Sequence, residues 1–195
     1  LSLFHPADTT TVEVDISDTV FEGNSSPNEG SFGAGALYIS PSESGLLDVT
    51  LDRTLINNNS AYDGPGAIYM ADTSSNKGLL KIINSTISNN SGKFSGGITL
   101  SGGYSDGTSI SHSTIINNVN TRSTGGSAIY GNGLTSASDL AINHTIISGN
   151  TGGYAQVCNY NEANFDFAYV NSFVSNDDSS SSSCLSNKKD NASLV

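Results

Sequence analysis

His112 and His144 stand at the same place in two related segments, "SHSTIINN" and "NHTIISGN", each six residues ahead of an asparagine. Imidazole titrates near neutral pH and is the commonest metal ligand, so a matched pair is the first place to look for acid–base or metal chemistry. Asp18, Arg53, Asn84 and Asn171 fall at the same offset in further copies of the segment. If the copies stack, His112 lies beside His144 and Arg53 beside Asp18 on one polar stripe. Arg53, His112 and His144 are therefore the catalytic candidates. No third ligand of suitable type sits at an obvious offset, and a solvated ladder position open to any polar side chain is the plainer account of so mixed a column.

Two other groups could bind rather than react. Asp48, Asp139 and Asp166 share a second column, and further aspartates decorate nearby turns. Calcium needs about six to eight converging oxygens, so these are candidates for it only if turns bring them together; no other cofactor is indicated. Tyr38, Tyr69 and Tyr130 recur in "GALYI", "GAIYM" and "SAIY". Such a stripe suits stacking on a sugar or contact with a protein, or else an aromatic stack in the core, and alternation alone does not say which.

Composition narrows the partners. The 195 residues carry 18 acids against 7 Lys and Arg, a net charge of −11, while polarity is supplied mainly by Asn, Ser, Thr and Gly. That balance argues against nucleic acid, whose phosphates need a basic face, and against anionic lipid. No apolar run approaches the ~18 residues of a membrane helix, so direct membrane insertion is not expected. The first residues lack Met, a basic start and an apolar stretch, as in a mature product or a fragment of a longer chain.

What must position these groups is a repeat. An apolar residue followed three places later by Asn occurs as "FEGN", "INNN", "ISNN", "IINN" and "ISGN", with a degenerate "VSND" ending at Asp177. The anchors Asn24, Asn59, Asn90, Asn118, Asn150 and Asp177 are 35, 31, 28, 32 and 27 residues apart. Eight residues before them stand Ile16, Leu51, Ile82, Ile110, Ile142 and Tyr169, and five before them always Ser or Thr. Alternating apolar and polar residues mean short strands with one buried face. A second strand follows each glycine-rich stretch such as "GPGAIYM".

Like residues at like offsets, with length variation confined to loops, predict an all-β fold: a right-handed parallel β-helix of about six coils, 27–35 residues each. Residues 1–11 would form an N-terminal cap or broken coil, 12–178 the coils, and 179–195 a Ser-rich segment and C-terminal cap, all in one domain. Asn24, Asn59, Asn90, Asn118 and Asn150 would turn the corners, since Asn tolerates left-handed backbone angles, and would hydrogen-bond from coil to coil.

The paired motifs, Phe-x-x-Asn as in "FEGN" and Gly-Gly-Ala-Ile-like as in "GPGAIYM", resemble the repeats of polymorphic outer-membrane proteins and related bacterial surface adhesins. The resemblance covers about residues 12–178 and implies a β-helix of the pectate-lyase-like class, which includes adhesins, lyases and hydrolases. The Asn-Thr-Asp, Gly-His-Gly and Arg-Ile-Lys segments of polygalacturonase-like hydrolases are missing, and the Lys and Arg that a pectate-lyase-like site would need are scattered.

Cys158 and Cys184 follow their anchors by eight and seven residues, nearly one column of adjacent coils. Neighbouring parallel strands lie about 4.8 Å apart, within disulfide range, so a bond and an oxidising, extracytoplasmic location are expected. Together these features predict a non-catalytic extracellular or cell-surface module with an adhesive, structural or assembly role. Its partners would be a surface glycan, a protein or neighbouring β-helix segments. A carbohydrate-active or glycan-binding β-helix is the alternative.

Overall fold

The computed structural model describes residues 1–5, 10–27, 29–30, 33–41, 45–71, 77–101, 107–134, 139–160 and 168–175. Alternation of apolar and polar residues becomes strand wherever it persists, and each strand pairs in parallel with its equivalent one turn later. The first turn comprises β1 (Ser2–Phe4), β2 (Thr11–Ser17), β3 (Val20–Glu22) and β4 (Ser25–Ser26). The second comprises β5 (Leu37–Ser40), β6 (Leu46–Asp52), β7 (Leu55–Asn57) and β8 (Ser60–Ala61). The third repeats the plan with β9 (Ile68–Ala71), β10 (Lys77–Ile83), β11 (Thr86–Ser88) and β12 (Ser91–Gly92), and the fourth with β13 (Ile98–Ser101), β14 (Thr108–Ser111), β15 (Thr114–Ile116) and β16 (Val119–Asn120). Then come β17 (Gly126–Asn132), β18 (Leu140–Asn143) and β19 (Ile146–Ser148), and finally β20 (Ala155–Tyr160), β21 (Ala168–Val170) and β22 (Phe173–Val174).

Three sheets of six strands and one of four run along the stack. Sheet A holds β1, β5, β9, β13, β17 and β20, sheet B β2, β6, β10, β14, β18 and β21, and sheet C β3, β7, β11, β15, β19 and β22. Sheet D holds only β4, β8, β12 and β16. The protein is an all-β parallel solenoid. The expected six coils are corrected to four complete turns followed by partial ones, because after β19 the fourth side shrinks to a single bridge between Val119 and Thr151.

Register follows the apolar columns. Ile82 pairs with Leu51 and Ile110, and Ile87 with Ile56 and Ile115. These side chains and Leu37, Ile68, Ile98 and Ile129 are at most 1 % exposed and fill one continuous core. Each contributes about 1.5–3 kcal/mol by burial before ordering entropy is set against it. The glycine-rich stretches mark where backbone runs against backbone. A Cβ on Gly66 would lie 2.3 Å from the Gly96 carbonyl oxygen, so "GPGAIYM" can carry no side chain there.

Two corners per turn have left-handed backbone. Between sheets B and C it falls on Asp18, Arg53, Asn84, His112, His144 and Asn171, with φ of 48–50°. Between C and D it falls on Gly23, Asn58, Asn89, Asn117 and Gly149, with φ of 55–67°. The expectation that Asn59 and its equivalents turn the corner is thus off by one residue. The left-handed position is the one before, and the following Asn points inward.

That inward Asn does the hydrogen bonding. Asn24 Nδ2 donates to Asn59 Oδ1 (2.8 Å), Asn59 to Asn90 (2.9 Å), Asn90 to Asn118 (2.9 Å) and Asn118 to Asn150 (2.8 Å). Each acceptor also takes the backbone N–H of the same donor residue at 2.9–3.0 Å. From Asn59 onward each Nδ2 reaches back to a carbonyl of the preceding turn, those of Phe21, Ile56, Ile87 and Ile115, at 3.0 Å. Asn150 Nδ2 then donates to Gln156 Oε1 (2.8 Å), whose Nε2 returns to the Asn150 carbonyl (2.9 Å). Gln156 is thus the next rung of the ladder, and Asp177 lies outside the described residues.

A second ladder follows the other corner. The hydroxyls of Ser85, Ser113, Thr145 and Ser172 accept the N–H of Thr54, Ser85, Ser113 and Thr145 in turn at 3.0–3.5 Å. Ser85, Ser113, Thr145 and Ser172 each donate to the carbonyl two residues back at 2.7–3.0 Å. The invariant Ser or Thr of the repeat therefore spans its own left-handed residue.

Candidate functional site

Arg53, His112 and His144 all occupy the left-handed corner between sheets B and C. Asn, Asp and His are the non-glycine residues most enriched in that conformation, so backbone geometry accounts for most of the column. Arg53 is the exception, and it is held by charge. Its Nε and Nη2 donate to the two Asp18 carboxylate oxygens at 2.7 and 2.8 Å, and Nη1 contacts Asp52. Hydrogen bonding to Arg53 keeps the Asp18 carboxyl below its ordinary value.

The His112 and His144 rings stack with centroids 4.8 Å apart and planes 2° from parallel. Imidazole lone pairs lie in the ring plane, so stacked rings aim them side by side instead of at one ion about 2.0–2.1 Å from both. His144 Nε2 lies 3.2 Å from the Asn171 amide, which continues the stripe.

Asp48 and Asp139 are not neighbours. Asp48 lies on β6 and Asp139 just ahead of β18, with β10 and β14 between them in the sheet. Asp48 Oδ2 accepts Lys81 Nζ at 2.8 Å, and Asp166 lies outside the described residues. Among the described residues no group of three or more His, Cys, Asp and Glu is placed to hold a metal.

The tyrosines lie on the outer side of sheet A and are partly exposed, while their neighbours Leu37, Ile68 and Ile129 are fully buried. Tyr38 and Tyr69 pair, with ring centroids 5.3 Å apart. Thr99 separates Tyr69 from Tyr130 in the register, so the stripe is broken and Tyr130 belongs elsewhere.

Tyr130 forms the wall of an open cleft of about 410 Å³, with Phe94, Arg122, Tyr154 and Tyr160. The Phe94 and Tyr130 rings are 12° from parallel with centroids 6.5 Å apart, and the Arg122 guanidinium lies 5.4 Å from the Phe94 ring centre. That approach is within cation–π range. Burial first, and Tyr160 second, push the Tyr130 phenol up against the opposing effect of Arg122.

One buried side chain sets this loop. Asn120, 2 % exposed, directs Nδ2 to the carbonyls of Phe94 (2.9 Å), Thr124 (2.7 Å) and Gly126 (3.0 Å). Its Oδ1 accepts the Arg122 N–H at 2.8 Å. The Gly125 carbonyl accepts the Tyr154 N–H at 2.8 Å, and a Cβ on Gly125, at φ +84°, would lie 3.2 Å from the Tyr130 ring. Asn120 and Gly125 thus fix the backbone beneath Phe94, Arg122 and Tyr154 before anything binds.

The chain matches no protein-family model, no curated protein and no solved structure.

Of the residues singled out in the sequence, only Tyr130 lines this cleft. The signal for three of the others is a further offset of the repeat: Phe94, Arg122 and Tyr154 each stand four residues after a ladder asparagine, and Asp63 does so one turn earlier. Asp63 accepts the Gly30 N–H at 2.6 Å and pairs with Lys93, whose Nζ lies 5.7 Å from the Tyr62 ring centre. The backbone bond from Gly30 and the Lys93 ammonium hold the Asp63 carboxyl below its usual range. Cys158, fully buried on β20, pairs in register with Tyr130. Cys184 lies outside the described residues.

Proposed function

We propose that this chain is a non-catalytic module of an extracellular or cell-surface protein, with an adhesive, structural or assembly role. The observation that carries the reading is the Asn ladder, which runs unbroken from Asn24 to Asn150 and on to Gln156. The catalytic candidates Arg53, His112 and His144 hold left-handed corners, and the ladder asparagines join turn to turn. The likeness of the motifs to polymorphic outer-membrane and adhesin repeats supports a surface setting, with a right-handed helix as in those repeats. A surface glycan, a protein or neighbouring solenoid segments are the partners this reading implies.

A carbohydrate-active β-helix is the second reading, favoured by the aromatic cleft. Incubation with acidic and neutral polysaccharides separates the two: no new reducing ends or unsaturated products are expected, and their appearance would overturn the non-catalytic reading. The proposed Cys158–Cys184 bond belongs to the same reading, because disulfides persist in oxidising compartments. Alkylation before reduction should leave the mass of the denatured chain unchanged, and two added groups would count against an extracytoplasmic module.

A further inference from the structure

We propose that the cleft formed by Phe94, Arg122, Tyr130, Tyr154 and Tyr160 binds a neutral glycan chain. The inference rests on the non-catalytic reading above and gives that reading its ligand. Sugar rings present flat C–H faces that stack on aromatic rings, and hydroxyl edges that need hydrogen-bond partners. Phe94 and Tyr130 offer near-parallel rings, and the two remaining tyrosines and the exposed guanidinium supply polar groups around them.

Charge decides against an acidic polymer. The whole chain carries −11, and Lys93 is already paired with Asp63. Among the described residues that line the cleft, Arg122 is the cation, and it lies over Phe94. A polyanion would meet long-range repulsion with one guanidinium to offset it. For a neutral chain Arg122 acts instead as a fork of N–H donors that extends the stacking surface. The cleft volume of about 410 Å³ falls in the range of small-ligand sites, and its open form suits a chain that passes through. Asn120 and Gly125 fix the loop in advance, which reduces the ordering cost of binding.

The test uses the full chain in affinity electrophoresis and tyrosine-fluorescence titration, the protein having no tryptophan. The probes are neutral polymers (a mixed-linkage β-glucan, a galactomannan and a xyloglucan) and acidic ones (polygalacturonate and alginate). At least one neutral polymer should be retained, equally from about 50 to 500 mM NaCl. Phe94→Ala and Tyr130→Ala should each weaken retention about tenfold, and Tyr160→Ala, at an exposed ring, should do so without altering the thermal melt. Arg122→Gln should weaken it less, and Tyr38→Ala not at all. Failure of every neutral polymer to bind, retention unchanged by Phe94→Ala and Tyr160→Ala, or salt-sensitive binding confined to the acidic polymers would each overturn the proposal. Cleavage of a bound polymer would sink the non-catalytic reading while leaving the binding site standing, and absence of binding would do the reverse.

Discussion

The two corners of each turn solve one problem with different chemistry. Both place a residue in the left-handed conformation and follow it with an inward side chain that hydrogen-bonds along the stack. At the corner between sheets B and C the inward residue is Ser or Thr, whose single hydroxyl both donates and accepts. Between C and D it is Asn, whose amide joins three successive turns at once. The simpler ladder coexists with Asp, Arg, Asn and His at its left-handed residue, whereas the richer one is preceded only by Gly or Asn. A fold can therefore hold chemically suggestive side chains in a column for conformational reasons alone.

Substitutions can break this comparison, and the Asn ladder should show the largest effect. Asn90→Ala would leave the Asn59 N–H without its acceptor, take one of three acceptors from the Asn59 amide and remove the side-chain donor to the Ile56 carbonyl. Stability in urea should fall by about 3 kcal/mol, and a loss no greater than that of a Ser variant would show the two ladders to be equivalent. His112→Val puts a β-branched residue at φ +50°, which should cost about 1–2 kcal/mol in the same measurement. Ser113→Ala removes one hydroxyl from the simpler ladder and should cost about 1 kcal/mol.

Replacing both histidines by Asn keeps a residue suited to the corner, so the midpoint should stay within about 0.5 kcal/mol. A large loss would give the imidazole stack a role of its own. The smallest effect concerns Asp18. Because Arg53 holds its folded carboxyl below the ordinary 3.8, the contribution is intact above that value and fades as pH falls through the lower folded one. An Asp18→Asn variant should melt with a slightly shallower dependence on pH below 3.8 than the parent, and identical profiles would deny the pair any role.

The solenoid was legible because its determinants are periodic. Ile56, Ile87 and Ile115 recur at one offset in the sequence and pair in one register in the structure. The side of a corner on which an Asn falls was not legible, since "NN" in three turns offers two candidates and only the φ values separate them. The aromatic cleft was also hidden. Phe94, Arg122 and Tyr154 differ in type, and a search for like residues at like offsets passes over a column that mixes rings with a cation. Asn120 looked like one more Asn in an Asn-rich chain, because its three carbonyl partners are set by how the loop folds back. The number of complete turns depended on whether the fourth side pairs at all, and strands of two residues leave almost no pattern.

The ladder also has a mechanical consequence. Its bonds run along the axis of the rod, so tension between the ends acts on them head-on, and a turn is released only when its backbone pairs and its amide rung fail together. Each turn released would add roughly 100 Å of slack chain for about 30 residues. A pulled rod would lengthen in steps of nearly equal size, dissipating load at its ends while the turns between keep their grip.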